Sequence, residues 1–205
     1  MSYELVNTLA TCATFLVIAV TAIAALVQLR HMRSSNQMTA FNDLRHTFES
    51  ASLAAAHKYV DTQLHRDLED PAFRYAIGHR SARTEEMHER IRHLLNFDYF
   101  FETIGLLVKF NFVPAELVFA TWSEIIAWAW KRMVPVVAIY RTTQDPLAWE
   151  NFEYAALLAE RWLQSHPDGG YPRNTPRMPL EYPWAQADRD YAASVSAPRD
   201  NADAW

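Results

Sequence analysis

Apolar residues divide the chain into one continuous apolar run and a longer region of helical periodicity. No charged residue occurs between Glu4 and Arg30, and residues 9–29 are almost entirely apolar. At about 1.5 Å per residue, a helix over this run reaches roughly 30 Å, which matches the hydrocarbon core of a bilayer. The pattern predicts a single N-terminal transmembrane helix.

Two other interpretations fit an apolar N-terminal segment: a cleaved signal peptide and the core helix of a water-soluble domain. Signal peptides begin with a basic region and carry a shorter apolar stretch. Here Glu4 is the only charged residue before the run, although Ala22 and Ala24 are small residues of the kind found at cleavage sites. The length of the run favours the transmembrane helix.

The residues that flank the run predict its orientation. Arg30, His31 and Arg33 follow it directly, and no acidic residue occurs before Asp43. Basic residues beside a span remain in the cytoplasm. We therefore expect a single-pass protein with its N-terminus outside and its C-terminal domain in the cytoplasm. The only cysteine, Cys12, lies within the run, so no internal disulfide forms, as is usual on the reducing side of a membrane.

Helical periodicity then predicts an all-α bundle. Apolar residues recur at steps of three and four from Phe41, which indicates an amphipathic helix ending near His65. A short helix begins at Pro71 and ends at Gly78, because proline is favoured at the first helical position and glycine at the end. No segment shows the alternation of a β-strand.

Three longer helices follow. The first has Thr84 as its N-cap and is apolar on nearly all sides to about Phe110, which predicts a central position in the bundle. The second begins at Pro114 and is broken or kinked at Pro135. The last begins at Asp145, just before a proline, and ends near residue 166.

These boundaries predict three parts. Residues 1–33 form an N-terminal tail and the transmembrane anchor, residues 34–166 a cytoplasmic helical bundle, and residues 167–205 a flexible, largely irregular Pro-rich tail. A tail rich in proline and charge buries too little surface to offset the entropy of ordering it. Its aromatic residues, Tyr182 and Trp184 among them, leave open that it docks in extended form on the bundle or on a partner.

Composition excludes several classes of function. A net charge of −5 argues against nucleic acid as a partner, because such proteins carry a broad basic surface. Four glycines do not form a phosphate-binding loop, and no Gly-x-Ser-x-Gly motif provides a nucleophile. Glu85 and His88 match the Glu-x-x-His pair of di-iron bundles, but the second pair that such sites need is missing. We expect no metal and no cofactor.

Two carboxylates interrupt the most apolar helix. Asp98 and Glu102 are four residues apart and share a helical face. Three interpretations are open: they pair with arginines of the following helix, such as Arg132 or Arg141, they form a solvent-facing stripe, or they line a pocket and do acid–base chemistry. Asn96, on the same helix, is a candidate for a hydrogen bond between helices.

Tryptophans cluster on the next helix beside Lys131 and Arg132. Trp122, Trp128 and Trp130 lie either at a membrane interface or in the core of the bundle, and core packing is the favoured interpretation.

Three stretches resemble a bacterial family catalogued as a domain of unknown function: NFDYFFETIGLLVKFNFVPAELV, WAWKRMVP and ENFEYAALL. The resemblance covers about residues 10–163. It implies a membrane-anchored helical protein, which we expect in the inner membrane. Because the family has no assigned activity, the resemblance implies no catalytic function for this chain. The matching positions are Asn96, Phe101, Glu102, Gly105, Trp130, Pro135, Asn151, Phe152 and Glu153.

Two hypotheses of function follow. The first is a membrane-tethered interaction or scaffold protein, which binds the bilayer through its N-terminal helix and a membrane protein or a second copy through its bundle. Small residues four apart, Ala10 with Thr14 and Thr21 with Ala25, would let two such helices approach closely. The alternative is a membrane-bound enzyme or sensor with a pocket at Asp98 and Glu102. The interaction or scaffold hypothesis requires no catalytic residues, and we favour it.

Overall fold

The computed structural model describes residues 2–172 and 174–196, and within these ranges every regular element is helical. The helices are α1 Tyr3–Phe48, α2 Ala51–Thr62, α3 Leu64–Asp67, α4 Pro71–Gly78, α5 Glu85–Lys109, α6 Ala115–Thr143, α7 Glu150–Ser165 and α8 Ala185–Ser196, with one 3₁₀ turn at Arg80–Ala82. The predicted all-α fold is confirmed.

The apolar run forms the first part of α1, which continues unbroken for 46 residues. Its most apolar 18-residue window has a mean hydropathy of 2.4, and none of that window is buried. This exposure argues against the core helix of a water-soluble domain. The hydroxyls of Thr11, Thr14 and Thr21 each donate to the carbonyl four residues earlier, so these polar groups are satisfied within the helix. α1 is long and apolar enough to cross a membrane.

A turn separates α1 from α2, where the sequence predicted one helix up to His65. α1 ends at Phe48, and the side chain of Ser50 accepts a hydrogen bond from the main-chain nitrogen of Leu53 at 3.3 Å. Ser50 therefore begins a new helix as its N-cap. The apolar spacing continues across this turn, which is why periodicity alone did not reveal it.

The predicted boundaries of α4 and α5 agree with the structure. Asp70 caps α4, with its carboxylate 2.8 Å from the main-chain nitrogen of Ala72, and Pro71 takes the first helical position. Thr84 caps α5 by accepting from the main-chain nitrogen of Met87. These signals are local, so the sequence is sufficient to place them.

In the later helices, the break considered at Pro135 does not occur, and the start expected for the last helix was wrong. α6 runs through Pro135 without ending, and residues on both sides of the proline are buried in the core. α7 begins at Glu150 and not at Asp145, whose carboxylate instead accepts from the main-chain nitrogen of Leu147 in a turn. Trp149 then takes a left-handed conformation with φ 60° before the helix starts.

The core lies where α5 and α6 pack on α7 and where α2 covers the opposite side of α5. The rings of Phe101 and Phe152 stack at 4.9 Å, and Trp130 meets Phe152 edge to face at 5.1 Å. Trp122 is buried against Phe41 of α1. The tryptophans of α6 thus pack in or against the core, as favoured above.

The chain divides into two units, the first ending at Gly170 and the second beginning at Tyr171. In the second unit the described backbone up to Trp184 is irregular, as predicted for the tail, but Ala185–Ser196 forms α8. Residues 1, 173 and 197–205, which belong to the predicted terminal parts, lie outside the described residues.

Candidate functional site

The N-terminus of α7 is capped by a side chain from α5. Trp149, which precedes α7, supplies no side-chain cap of its own. Glu102 takes this role, because Oε2 accepts from the main-chain nitrogen of Phe152 at 2.8 Å and Oε1 accepts from Nδ2 of Asn151 at 2.6 Å. A carboxylate is favoured there by the unpaired N–H groups and the helix dipole. Glu102 is therefore a link between α5 and α7.

One turn further along α5, the two helices touch backbone to backbone at Gly105. A Cβ atom at this position would overlap the main-chain carbonyl of Asn151 and lie 3.1 Å from its Cα. Lys109 closes the contact, with Nζ 3.2 Å from Oδ1 of Asn151 and 3.3 Å from Oε1 of Glu150. Glu102, Gly105 and Lys109 thus form one row of α5 that holds the start of α7.

The arginines expected to pair with Asp98 and Glu102 bind elsewhere. Nη2 of Arg141 lies 2.7 Å from Oε2 of Glu153 on α7. Nη2 of Arg132 lies 3.5 Å from Oδ1 of Asp61 on α2. Glu102 does not pair with an arginine of α6 because α7 covers it and supplies its hydrogen-bond donors.

Asp98 is fully buried, and neither of its carboxylate oxygens has a hydrogen-bond partner among the described residues. Burial raises the pKa of Asp98 to about 9, with a further contribution from the charge of Glu102. Burial also raises the pKa of Tyr140 on α6, an effect that Arg83 opposes and Asp98 reinforces. At neutral pH Asp98 is therefore protonated and uncharged.

Asn96 lies on the other side of α5, towards α2. Its Nδ2 donates to Oγ of Ser52 at 3.2 Å. This is a hydrogen bond between helices, of the kind expected from the sequence, and it lies away from the row of α5 that holds α7.

A polar cleft of about 450 Å³ lies between α2 and the first half of α5. Tyr59 donates to Oδ2 of Asp67 at 2.8 Å, and Arg90 lies 3.5 Å from Oδ1 of the same carboxylate. Burial and this hydrogen bond raise the pKa of Tyr59. The charged residues that line the cleft are Lys58, Glu85, Glu86, Glu89 and Arg90. Arg90 also pairs with Glu86 within the lining, so this arginine of the cleft is engaged by two carboxylates.

The Glu85–His88 pair does not form part of a metal-ligand group. Nδ1 of His88 lies 3.0 Å from the main-chain carbonyl of Thr84, the N-cap residue of α5. One ring nitrogen of His88 is therefore engaged by this hydrogen bond. In the part of the chain that the structure describes, no three metal-ligating side chains come together.

Exposed, uncharged side chains follow the outer face of the second half of α5. Tyr99 is 60% exposed and Leu106 is 42% exposed, and Thr103 lies between them on the same face. We call Tyr99, Thr103 and Leu106 the α5 stripe. Sequence reasoning missed it, because α5 is so apolar that its buried and exposed faces are not distinguished by composition.

Comparison with known families identifies the chain. A family model described as Domain of unknown function (DUF4760) matches residues 15–162. The chain belongs to this family. No curated protein and no solved structure matches it. The match begins inside the apolar part of α1 and ends within α7, so it includes most of the apolar run as well as most of the bundle.

Five of the nine residues that carried the family resemblance converge in this member of DUF4760. Phe101, Glu102 and Gly105 on α5 meet Asn151 and Phe152 on α7. This cluster is a stack of rings, a helix cap and a close backbone approach, which together fix how α7 sits on α5. Helix packing therefore explains these five positions of the recurring pattern in this chain.

Proposed function

We propose that this member of DUF4760 is a membrane-anchored interaction protein: α1 crosses the bilayer and the bundle binds another protein of the same membrane. The observation that supports it most is the apolar half of α1, which the rest of the protein leaves uncovered and which runs without a break into the bundle. Tethering raises the effective concentration of the bundle near membrane partners, even when its intrinsic affinity is modest.

The basic residues after the apolar run support a cytoplasmic bundle. Arg30 and Arg33 lie one and four residues beyond Leu29, whereas the segment before the run carries one charged residue, Glu4. This asymmetry favours translocation of the N-terminus across the inner membrane and retention of the arginines on the cytoplasmic side.

The α5 stripe is the surface on which we place the partner. Tyr99, Thr103 and Leu106 present apolar and hydroxyl groups without a charge, which suits the apolar face of a helix. The stripe leads along α5 towards the end that lies beside α1. A helix of a protein in the same membrane is therefore the occupant that fits it.

Site-specific photocrosslinking in cells tests this surface. Benzoylphenylalanine is placed at Tyr99, and the control carries it at Tyr75, which is 59% exposed on α4 and thus equally available. We expect a discrete crosslinked product from position 99 and none from position 75. A product of twice the mass of the chain would identify the partner as a second copy.

A matched pair of variants makes the result specific to the stripe. Leu106→Glu is expected to reduce the product about tenfold or more, because an unpaired charge in an apolar contact costs more than about 1.4 kcal/mol. Leu157→Glu, at a leucine that is 46% exposed on α7, should leave it unchanged. No product from position 99, or equal loss in both variants, contradicts the proposal.

The enzyme or sensor hypothesis finds less support in the geometry. Glu102 uses both carboxylate oxygens to hold α7. Four clefts lie between α5 and either α1 or α2 in the described part of the chain, and neither Asp98 nor Glu102 lines any of them. A substrate entering these clefts would not reach the two carboxylates.

A further inference from the structure

The turn between α5 and α6 carries two exposed aromatic rings. Phe110 and Phe112 are each 60% exposed, although both flank helices whose other large residues are mostly in the core. Asn111 between them is left-handed, with φ 57°. A left-handed residue is costly unless it ends a helix tightly, and here it does so between the two rings. We call Phe110, Asn111 and Phe112 the aromatic turn.

The aromatic turn lies beside the end of the apolar run. Nε2 of Gln37 on α1 donates to the main-chain carbonyl of Asn111 at 3.3 Å. Both phenylalanines line a cleft of about 510 Å³ together with Leu29 and Met32 of α1. Leu29 is the last residue of the apolar run, and Gln37 is eight residues beyond it, or about 12 Å along the helix. The rings therefore occupy the level at which α1 would leave the hydrocarbon core.

We infer that the aromatic turn is a second membrane contact, in which Phe110 and Phe112 enter the interfacial layer of the leaflet beside the end of α1. This inference rests on the proposed membrane anchoring. Transfer of exposed apolar rings from water into the layer between headgroups and acyl chains is favourable, because it removes apolar surface from water. Arg33, which lines the same cleft, lies where it can meet anionic headgroups.

Two contacts with one leaflet restrict the bundle more than one does. A single helix leaves the domain free to rotate about the helix axis and to tilt. With the aromatic turn held at the surface, the α5–α6 end of the bundle faces the membrane. The 29 residues of α6 then lead up to about 43 Å away from that end.

The depth of spin labels in lipid nanodiscs tests the inference. The full chain carries Cys12→Ala, and single cysteines replace Phe112, Leu29 or Leu147. Leu147 is a matched control, since it is 68% exposed in the connection at the opposite end of α6. The nanodiscs contain zwitterionic and anionic phospholipid. Collision of each label with oxygen, which concentrates in lipid, is compared with collision with a water-soluble nickel chelate.

Labels at Leu29 and Phe112 should both collide with oxygen and lose collision with the nickel chelate, whereas the label at Leu147 should do the reverse. The same result at Phe110→Cys would confirm it with an independent residue. A label that reports lipid at Leu29 but water at Phe112 overturns the inference and leaves the anchor intact. A label at Phe112 protected from both reagents means that protein covers the turn, which also overturns it. A label at Leu29 that reports water contradicts the anchor itself.

Discussion

Replacing Gly105 with alanine is expected to lower the free energy of unfolding by about 3 kcal/mol, because the new methyl group forces apart two helices that touch through their backbones. The Cβ atom would overlap the carbonyl of Asn151, and a main-chain carbonyl at the start of a helix cannot rotate away as a side chain can. The separation would also break the cap that Glu102 provides. Urea unfolding of the full chain in a mild detergent, followed by fluorescence of its seven tryptophans, measures the loss.

The sign of this effect distinguishes it from helix propensity. Alanine within a helix is ordinarily about 0.5–1 kcal/mol better than glycine, so a residue free of contact would gain stability. Gly170→Ala is the control for steric room alone, since Gly170 lies in a turn outside the helices and a Cβ there meets its neighbours at 3.7 Å, an ordinary contact distance. If Gly105→Ala is as stable as the natural chain, the close approach of α5 and α7 is not present.

The second large effect concerns Asp98 and depends on pH. Its pKa is about 9 in the folded protein, against 3.8 for an ordinary aspartate. The folded state therefore holds a proton that the unfolded state releases, and stability falls as the pH rises between these two values. The loss reaches up to about 1.4 kcal/mol per pH unit. Asp98→Asn removes the ionisation, so its stability relative to the natural chain should increase steadily from about pH 4 to about pH 9.

The neighbouring groups define the control for this experiment. The charge of Glu102 contributes to the raised pKa of Asp98, and Asp98 contributes to the raised pKa of Tyr140, so the comparison is made as a difference between two chains that share Glu102 and Tyr140. Asp43→Asn, at an exposed carboxylate on α1, is the control for the removal of one surface charge. A difference for Asp98→Asn that stays constant between pH 5 and 8 would show that Asp98 is ionised in the folded protein.

Features that depend on adjacent residues were predictable from the sequence. The uncharged run of α1, the cap at Thr84 and the proline at the start of α4 all act within a few residues. Their physical causes, which are chain length in the bilayer and unpaired N–H groups at helix ends, do not require knowledge of the fold.

Features that depend on which helices meet were not predictable. The sequence places Glu102 four residues from Asp98, but it does not reveal that α7 covers Glu102 or that Asp98 is enclosed in the core. The predicted partners Arg132 and Arg141 were chosen because they lie on the next helix, whereas the donors come from Asn151 and Phe152 on α7. A break at Pro135 was one of the two outcomes expected from the sequence, yet α6 continues through it with buried residues on both sides.

The family pattern provided the signal that spacing lacked. Gly105, Asn151 and Phe152 were noted only as matching positions and Glu102 also as a candidate carboxylate, and the structure brings all four to one contact. The start of α7 against this face of α5 explains both residues. Gly105 leaves room for the main chain of α7, and Glu102, three positions before it, caps the new helix. The same reasoning did not reach Trp149 or Lys109, which complete the contact.

Alkaline carbonate extraction of membranes from cells that produce the full chain tests most directly whether α1 spans the bilayer. The account predicts that the natural chain stays in the membrane pellet at its full length. The variant with Ile18→Arg and Ala22→Arg should appear in the soluble fraction, since each arginine costs about 2.5–3.5 kcal/mol near the middle of a span. Ile18→Leu with Ala22→Leu is the control and should stay in the pellet. A natural chain that is released by carbonate, or that has lost its N-terminal residues, contradicts the account.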